Sequence, residues 1–288
     1  MTLEEFTRER GLVDKASEKL VANMTDLQKR VSERLANTIS ELEMSSGRLV
    51  ASEANINRLV SIVAEMEREF PDPEWQKAVA EYLKTYDVLD AAVIGYVGEF
   101  GLIDAAITTA LRKQFKLLAA DYLLNAQSFQ LTLGNTIAQE VAASIANGVS
   151  YRELIKNVNT IIQGTPEKDG ALVGEGTTAV NDMISIYERT ATQVASDAVG
   201  AEFYLYQGRP IDSTRPFCRA RSNKYYHKKE VESWGNLEPW QGQIPGTNSR
   251  TIFSLLGGYS CRHSLVPVAR RDVPAEDLAR MKAKGYIS

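Results

Sequence analysis

Residues 20–42 read LVANMTDLQKRVSERLANTISEL, and their apolar members Leu20, Met24, Leu27, Val31, Leu35, Ile39 and Leu42 follow one another in steps of three and four. That stepping keeps to one face of a 3.6-residue helix for about six turns, so it predicts a long amphipathic helix with its stripe on a core. Ser45-Ser46-Gly47 breaks the rhythm, and apolar positions resume at Leu49, Ile56, Leu59, Val60, Val63 and Met66. Two helices folded back on each other, a long N-terminal helical hairpin, are expected up to Phe70-Pro71.

Helical signals continue outward from this hairpin. Asp72-Pro73-Glu74 offers an N-cap, a proline at the first helical position and an acid in the first turn, ahead of Trp75, Val79, Tyr82 and Leu83. More helix is expected through Leu111, Phe115, Leu118, Tyr122 and Phe129. The apolar stretch Val88–Leu111 contains Asp90, Glu99 and Asp104, each costly at a bilayer centre, so no stable membrane insertion is expected. A core helix, or two short ones meeting at Gly95, Gly98 and Gly101, fits it better. Gly148 ends a helix bearing Ile137, Val141 and Ile145, and Ser150-Tyr151-Arg152-Glu153 is a capping box for the next, Leu154 to Ile162. Gly164 to Thr178 carries four glycines without a Gly-Lys-Ser/Thr ending or a preceding strand, and reads as a flexible loop. A further helix is expected over about Val180 to Tyr206, and after Gly208-Arg209-Pro210 the helical rhythm stops.

The expected fold class is therefore mainly α: an elongated helical body with the long N-terminal hairpin, then a small turn-rich α+β C-terminal module. The sequence divides into segments 1–129, 130–206, 207–268 and a tail, 269–288. The third is too small to hold a robust core alone, so a metal or a packed neighbour is needed.

Charge divides along the same line. Of the 33 Lys+Arg and 37 Asp+Glu in 288 residues, residues 1–206 carry 19 and 30, a net of −11, and residues 207–288 carry 14 and 7, a net of +7. A basic end on an acidic body suits non-specific DNA contact through residues 207–288, or an acidic protein surface; scattered solvated cations are the plainer reading. The opening Met1-Thr2-Leu3-Glu4-Glu5-Phe6 lacks the basic and apolar runs of a secretory signal, so a cytosolic location is expected.

Both cysteines and both histidines lie in that basic end: Cys218, His227, Cys261 and His263, in the pattern Cys-x8-His-x33-Cys-x-His. Zinc takes four such ligands tetrahedrally, and a structural site has no open position, so this set would close one. The cysteines could instead be buried apolar residues or a disulfide, and His227, within Lys224-Tyr225-Tyr226-His227-Lys228-Lys229, could be solvated. A catalytic reading would make a cysteine a nucleophile with a histidine base, or the cluster a metal-dependent nuclease. Four residues all used as ligands leave none over for either task.

Two stretches carry a resemblance. Gly208-Arg209-Pro210-Ile211-Asp212-Ser213-Thr214-Arg215-Pro216-Phe217-Cys218 and Gly257-Gly258-Tyr259-Ser260-Cys261-Arg262-His263 resemble the C-terminal signature of the phage Mu F-like minor head proteins, also called phage head morphogenesis proteins. The turn and helix of Ala146 to Leu154 and the later Glu188-Arg189-Thr190-Ala191 resemble the family's helical part, so the likeness spans about residues 130–268. Many members end with Pro-x-His-x-x-Cys-Arg-Cys where this chain has Tyr259-Ser260-Cys261-Arg262-His263.

The resemblance implies a minor structural protein of a tailed-phage virion, acting in head morphogenesis near the portal vertex, in the host cytoplasm during assembly and in the phage head afterwards. Portal protein and other capsid proteins would be its partners. No enzyme is expected, since the four Cys and His residues cannot serve both as ligands and as catalytic groups; a metal-dependent nuclease, a Cys/His hydrolase and a non-viral helical scaffold are the alternatives. Cys218, Cys261, His263 and His227 would hold a structural zinc. Arg215 and Arg262 cannot ligate metal but could fork onto Asp212 or carbonyls, fixing the two arms against each other.

Overall fold

In the computed structural model, which describes residues 1–58, 73–124, 127–165 and 168–288, the stripe of residues 20–42 builds α1 (Leu3–Ser40). Leu20, Met24, Leu27, Val31, Leu35 and Ile39 are all buried along it, and so is Leu42 just beyond. The chain then reverses through β1 (Met44–Ser45) and β2 (Arg48–Leu49), paired antiparallel. Ser46 and Gly47, with φ of 51° and 76°, form the two-residue loop of the I′ kind that suits the twist of a hairpin. The buried amide of Asn55 clamps the reversal: its oxygen accepts from Glu43 N at 2.7 Å, and its nitrogen donates to the carbonyls of Glu43 and Val50. Asn55 belongs to α2 (residues 53–58). Leu59, Val60, Val63, Met66, Phe70-Pro71 and Asp72 lie outside the described residues, and Ile56, expected on the apolar face, is exposed.

The described residues are mainly α. After α2 come α3 (Pro73–Leu83), α4 (Thr85–Val97), α5 (Ala105–Leu124), α6 (Gln127–Ala146), α7 (Tyr151–Gln163) and α8 (Ala171–Ala198). Gly98 caps α4, so the Val88–Leu111 stretch is two helices. Asp90 within it is buried, ion-paired to Arg112 at 2.8 Å and hydrogen-bonded by Tyr187 at 3.1 Å. Among the described residues no helix is long and apolar enough to cross a membrane. Ser150 caps α7 by accepting from Glu153 N.

Two expectations are corrected here. The glycine-rich stretch from Gly164 is not an open loop: β3 (Gly164–Thr165) pairs with β4 (Lys168–Asp169), and α8 begins at Ala171. A Cβ on Gly176 would lie 2.2 Å from Met24 Sδ, so its glycine reflects close helix packing. The helix expected to reach Tyr206 ends at Ala198, and Phe203–Gln207 is β5.

The chain forms two compact units, both discontinuous in sequence and so unlike the four contiguous segments read from it. One comprises Lys15–Leu83 and Leu118–Val180. Its buried polar ties include Trp75 Nε1 donating to Leu123 O at 2.9 Å and Tyr82 Oη to Val180 O at 2.8 Å. The other comprises Met1–Asp14, Lys84–Leu117 and Asn181–Ser288. Here the turn-rich C-terminal residues acquire their packed neighbours. Phe6 stacks on Tyr96 at 4.9 Å, and Tyr96 Oη donates to Pro267 O at 2.8 Å.

This second unit contains the three-stranded antiparallel sheet, ordered β6 (Tyr225–His227), β5, β7 (Ser264–Val268). Side chains alternate across it. Tyr204, Tyr206, Tyr226 and Leu265 join a core with Phe217, Cys218, Trp234 and Cys261, while Phe203 and Val268 pack on Val273 and Met281 beneath the other face. Short helices α9 (Pro216–Arg219), α10 (Lys228–Trp234) and α11 (Ile252–Leu255) surround the first core, and Met281 belongs to α12 (Ala275–Ala283). Both carboxylate oxygens of buried Glu230 of α10 accept from Nη1 of Arg280 of α12, at 2.8 and 2.9 Å.

Candidate metal centre

Cys218 sits on α9, a single turn opened by extended Arg215 and by Pro216 at its first position, where the missing N–H costs nothing. Cys261 and His263 come from the turn between α11 and β7. That turn is held in unusual backbone: Leu256 and Ser260 have φ of 40° and 53° without being glycine. Two side chains of α8 secure it. Asp182 Oδ1 accepts from Ser260 N, and buried Arg189 donates to Cys261 O at 3.3 Å.

The three residues meet below the sheet. Cys218 Sγ lies 3.8 Å from Cys261 Sγ, and Cys261 Sγ lies 3.9 Å from His263 Nδ1. All three are buried, and they form a group that could hold a metal ion. Two sulfurs each about 2.3 Å from one zinc at the tetrahedral angle stand about 3.8 Å apart, and a sulfur and an imidazole nitrogen about 3.6 Å apart, close to the separations of Cys261 from its two neighbours, while all three donors lie within 4.8 Å of one another. The sulfurs are free and too far apart for a disulfide bond of about 2.05 Å.

The histidine is oriented for this task. Its Nε2 is 3.0 Å from Ser222 Oγ, whose own proton goes to Cys218 O at 2.9 Å. With the hydroxyl proton committed, Ser222 accepts from Nε2–H, which leaves the Nδ1 lone pair facing the sulfurs. The ring also packs on Tyr206, with centroids 5.3 Å apart. Backbone closes in from two sides: a Cβ on Gly257 would lie 2.3 Å from Cys218 Sγ and 2.8 Å from Cys261 Sγ, and one on Gly208 would lie 2.4 Å from the His263 ring. Trp240 Nε1, donating to Gly257 O at 3.3 Å, fixes the first of these contacts.

The thiols share their proton unevenly. The S–H of Cys218 and, less strongly, the Arg189 cation and the backbone N–H of His263 hold the Cys261 thiol well below the usual cysteine range despite its burial. Donation to Cys261 and burial push Cys218 up. A metal ion binds the thiolate form, so a bound cation would displace the thiol protons. Tyr206 Oη, completely buried and without a hydrogen-bond partner of good geometry, is pushed well above its ordinary value, first by burial and then by the neighbouring thiols.

His227 does not belong to this group. Directly opposite Phe203 in the β6–β5 pairing, it shares that residue's face of the sheet, whereas Tyr204 and Tyr206 face the cysteines. Its ring packs edge-on against Phe203 at 5.3 Å, and its Nδ1 caps α10 by accepting from Lys229 N. The expected set of four is therefore three. The premise that every candidate ligand is consumed in a closed site falls with it.

The supporting residues are also redistributed. Arg219, rather than Arg215 or Arg262, gathers the first arm by donating to Ile211 O and Asp212 O at 3.0 and 3.2 Å. Asp212 contributes that carbonyl, and Arg262 is exposed. Arg215 lies against Gly242 and carries its charge near Cys218. Sequence reasoning missed Asp182, Arg189, Tyr206 and Ser222 as partners of the site. Only Arg189, quoted within Glu188-Arg189-Thr190-Ala191, had a signal, and its target was not legible.

A cleft of about 770 Å³ opens beside the group, lined by Cys218, Cys261 and His263 together with Arg10, Glu188 and Arg215 among others. Comparison with protein-family models, curated proteins and solved structures finds no match.

Proposed function

We propose that the chain is a minor structural protein of a tailed-phage virion, acting in head morphogenesis near the portal vertex, with a zinc ion at Cys218, Cys261 and His263 stapling its C-terminal arms. One observation carries this reading. The two stretches that resemble the phage Mu F-like signature, whose cysteines are 43 positions apart in sequence, converge on one thiol pair 3.8 Å apart. The separately matched Arg189 reaches the same turn through Cys261 O. Segments that meet at one site are segments a family motif would constrain together.

Zinc follows from the donors: two thiolates and an imidazole in tetrahedral spacing suit a borderline-soft ion better than calcium or magnesium, which favour oxygen. Portal protein and other capsid proteins are the partners, and the role is structural rather than enzymatic. Non-specific DNA contact through residues 207–288 is the weaker part. Lys228, Arg280 and Lys284 are ion-paired and Arg221 lies over the Phe217 and Trp234 rings, which leaves fewer cations for phosphates. A metal-dependent hydrolase or nuclease is the second reading, favoured by three ligands rather than four beside a cleft.

Mass spectrometry of purified particles, joined to metal analysis of the purified chain, tests the proposal. Particles that lack the chain and still package and infect normally would end the morphogenetic role. Turnover of a phosphodiester or ester that disappears with Cys261→Ser would favour the second reading.

A further inference from the structure

We infer that the metal held by Cys218, Cys261 and His263 keeps its fourth coordination position for an anionic oxygen donor, a carboxylate or phosphate group, entering from the adjoining cleft. This rests on the metal reading above and extends it from a staple to a binding site.

The first support is the donor inventory. Among the described residues only these three place a Cys, His, Asp or Glu ligand atom within reach of the others. The nearby carboxylates are engaged: Asp182 accepts from Ser260 N, and Glu188 pairs with Arg10 at 3.1 Å and accepts from Ser264 Oγ at 2.6 Å. His227 faces the opposite side of the sheet. A tetrahedral ion with three protein donors completes its shell from outside.

The second support is access. All three ligand residues line the same cleft, whose volume of about 770 Å³ exceeds that needed by one water. The third is charge. Two thiolates and a divalent ion sum to zero, so the centre itself does not repel an anion. Arg209, Arg215 and Arg262 line the cleft, while Asp14 and the already paired Glu188 are its acids. Among the described residues the Arg215 guanidinium is in no ion pair, and it lies close enough to Cys218 for its charge to act there. A planar fork beside an open metal position suits a carboxylate or phosphate that binds the ion through one oxygen and the guanidinium through another.

The alternative closure is internal. Tyr206 Oη, buried and close enough to both thiols for their charges to act on it, is the oxygen that could complete the shell as a phenolate.

The test uses the full chain loaded with Co²⁺, whose visible ligand-field bands report the coordination shell. Acetate and inorganic phosphate are titrated separately at constant ionic strength. The expected result is one Co²⁺ per chain and bands that shift saturably with at least one of the anions, the responding anion identifying the group. Arg215→Ala should still take up Co²⁺ but weaken that anion about tenfold, the low end of a charge-assisted hydrogen bond. Bands unmoved by either anion would overturn the inference while leaving the metal site standing. So would a Tyr206→Phe spectrum that differs from wild type without added anion and gains an anion response. Failure of the wild-type chain to bind Co²⁺ or Zn²⁺ would instead remove the metal reading, and this inference with it.

Discussion

Replacing Gly257 with alanine tests the centre without touching a ligand. The added Cβ would stand 2.3 Å from Cys218 Sγ and 2.8 Å from Cys261 Sγ, where ordinary contact begins at 3.4 Å. The loop or the sulfurs must therefore give by about 1 Å, in a core where Phe217 stacks on Trp240 at 4.2 Å and Trp240 holds the carbonyl of Gly257 itself. Overpacking of this kind costs about 1–3 kcal/mol, and a shift that parts the sulfurs also spoils the 3.8 Å spacing that one zinc requires. Thermal melting with and without zinc separates the two effects: wild type should gain stability with zinc, and Gly257→Ala should start lower and gain little. Gly11→Ala is the control, since a Cβ there meets nothing within 4 Å and lies inside a helix, where alanine is favoured. If Gly257→Ala binds one zinc per chain and melts like wild type, the close approach of this backbone to the sulfurs is not as described.

Cys261→Ser should abolish stoichiometric zinc and, with it, stabilisation of about 2.7 kcal/mol at a hundredfold metal excess over Kd, read by metal analysis and melting together. His227→Asn should leave zinc content unchanged. Burial, opposed by nearby acids, lowers the His227 pKa below 6.5, so its stabilising contribution is complete above that value and is lost as pH falls through the folded-state pKa. Asparagine keeps the acceptor that caps α10 and cannot titrate, so this part of the acid sensitivity in urea unfolding should vanish. Arg10→Ala leaves Glu188 buried without its ion-pair partner and should cost about 3 kcal/mol in the same assay; an unchanged midpoint would show the pair to be dispensable.

Periodicity carried most of the helical architecture. The stripe from Leu20 to Leu42 was legible because one face of α1 meets a core at every turn, and Ser150 was legible because capping is local chemistry. What failed depended on partners distant in sequence. Val194, Ala198 and Phe203 fit a helical step, yet Phe203 begins a strand whose alternate residues serve two cores. Gly176 read as loop because Met24, the neighbour that requires its smallness, is 152 positions away. The candidate site split for the same reason. Residue type and clustering picked out Cys218, Cys261 and His263, but with no strand read at Tyr225–His227, the parity that turns His227 away could not be seen.

The discontinuity of the sheet-bearing unit has a consequence for the order in which the newly made chain can fold. Arg10 makes its bonds to Gln207 and Ser264, partners 197 and 254 positions downstream. The first turns of α1 must therefore wait, synthesised but unsatisfied, until β7 has left the ribosome, whereas the unit of Lys15–Leu83 and Leu118–Val180 is complete in sequence by Val180. Closing loops of that length is slow, and the exposed stripe of a long amphipathic helix is sticky meanwhile. Early formation of the helical unit would shield that stripe, leaving the sheet-bearing unit as the last part of the protein to become native.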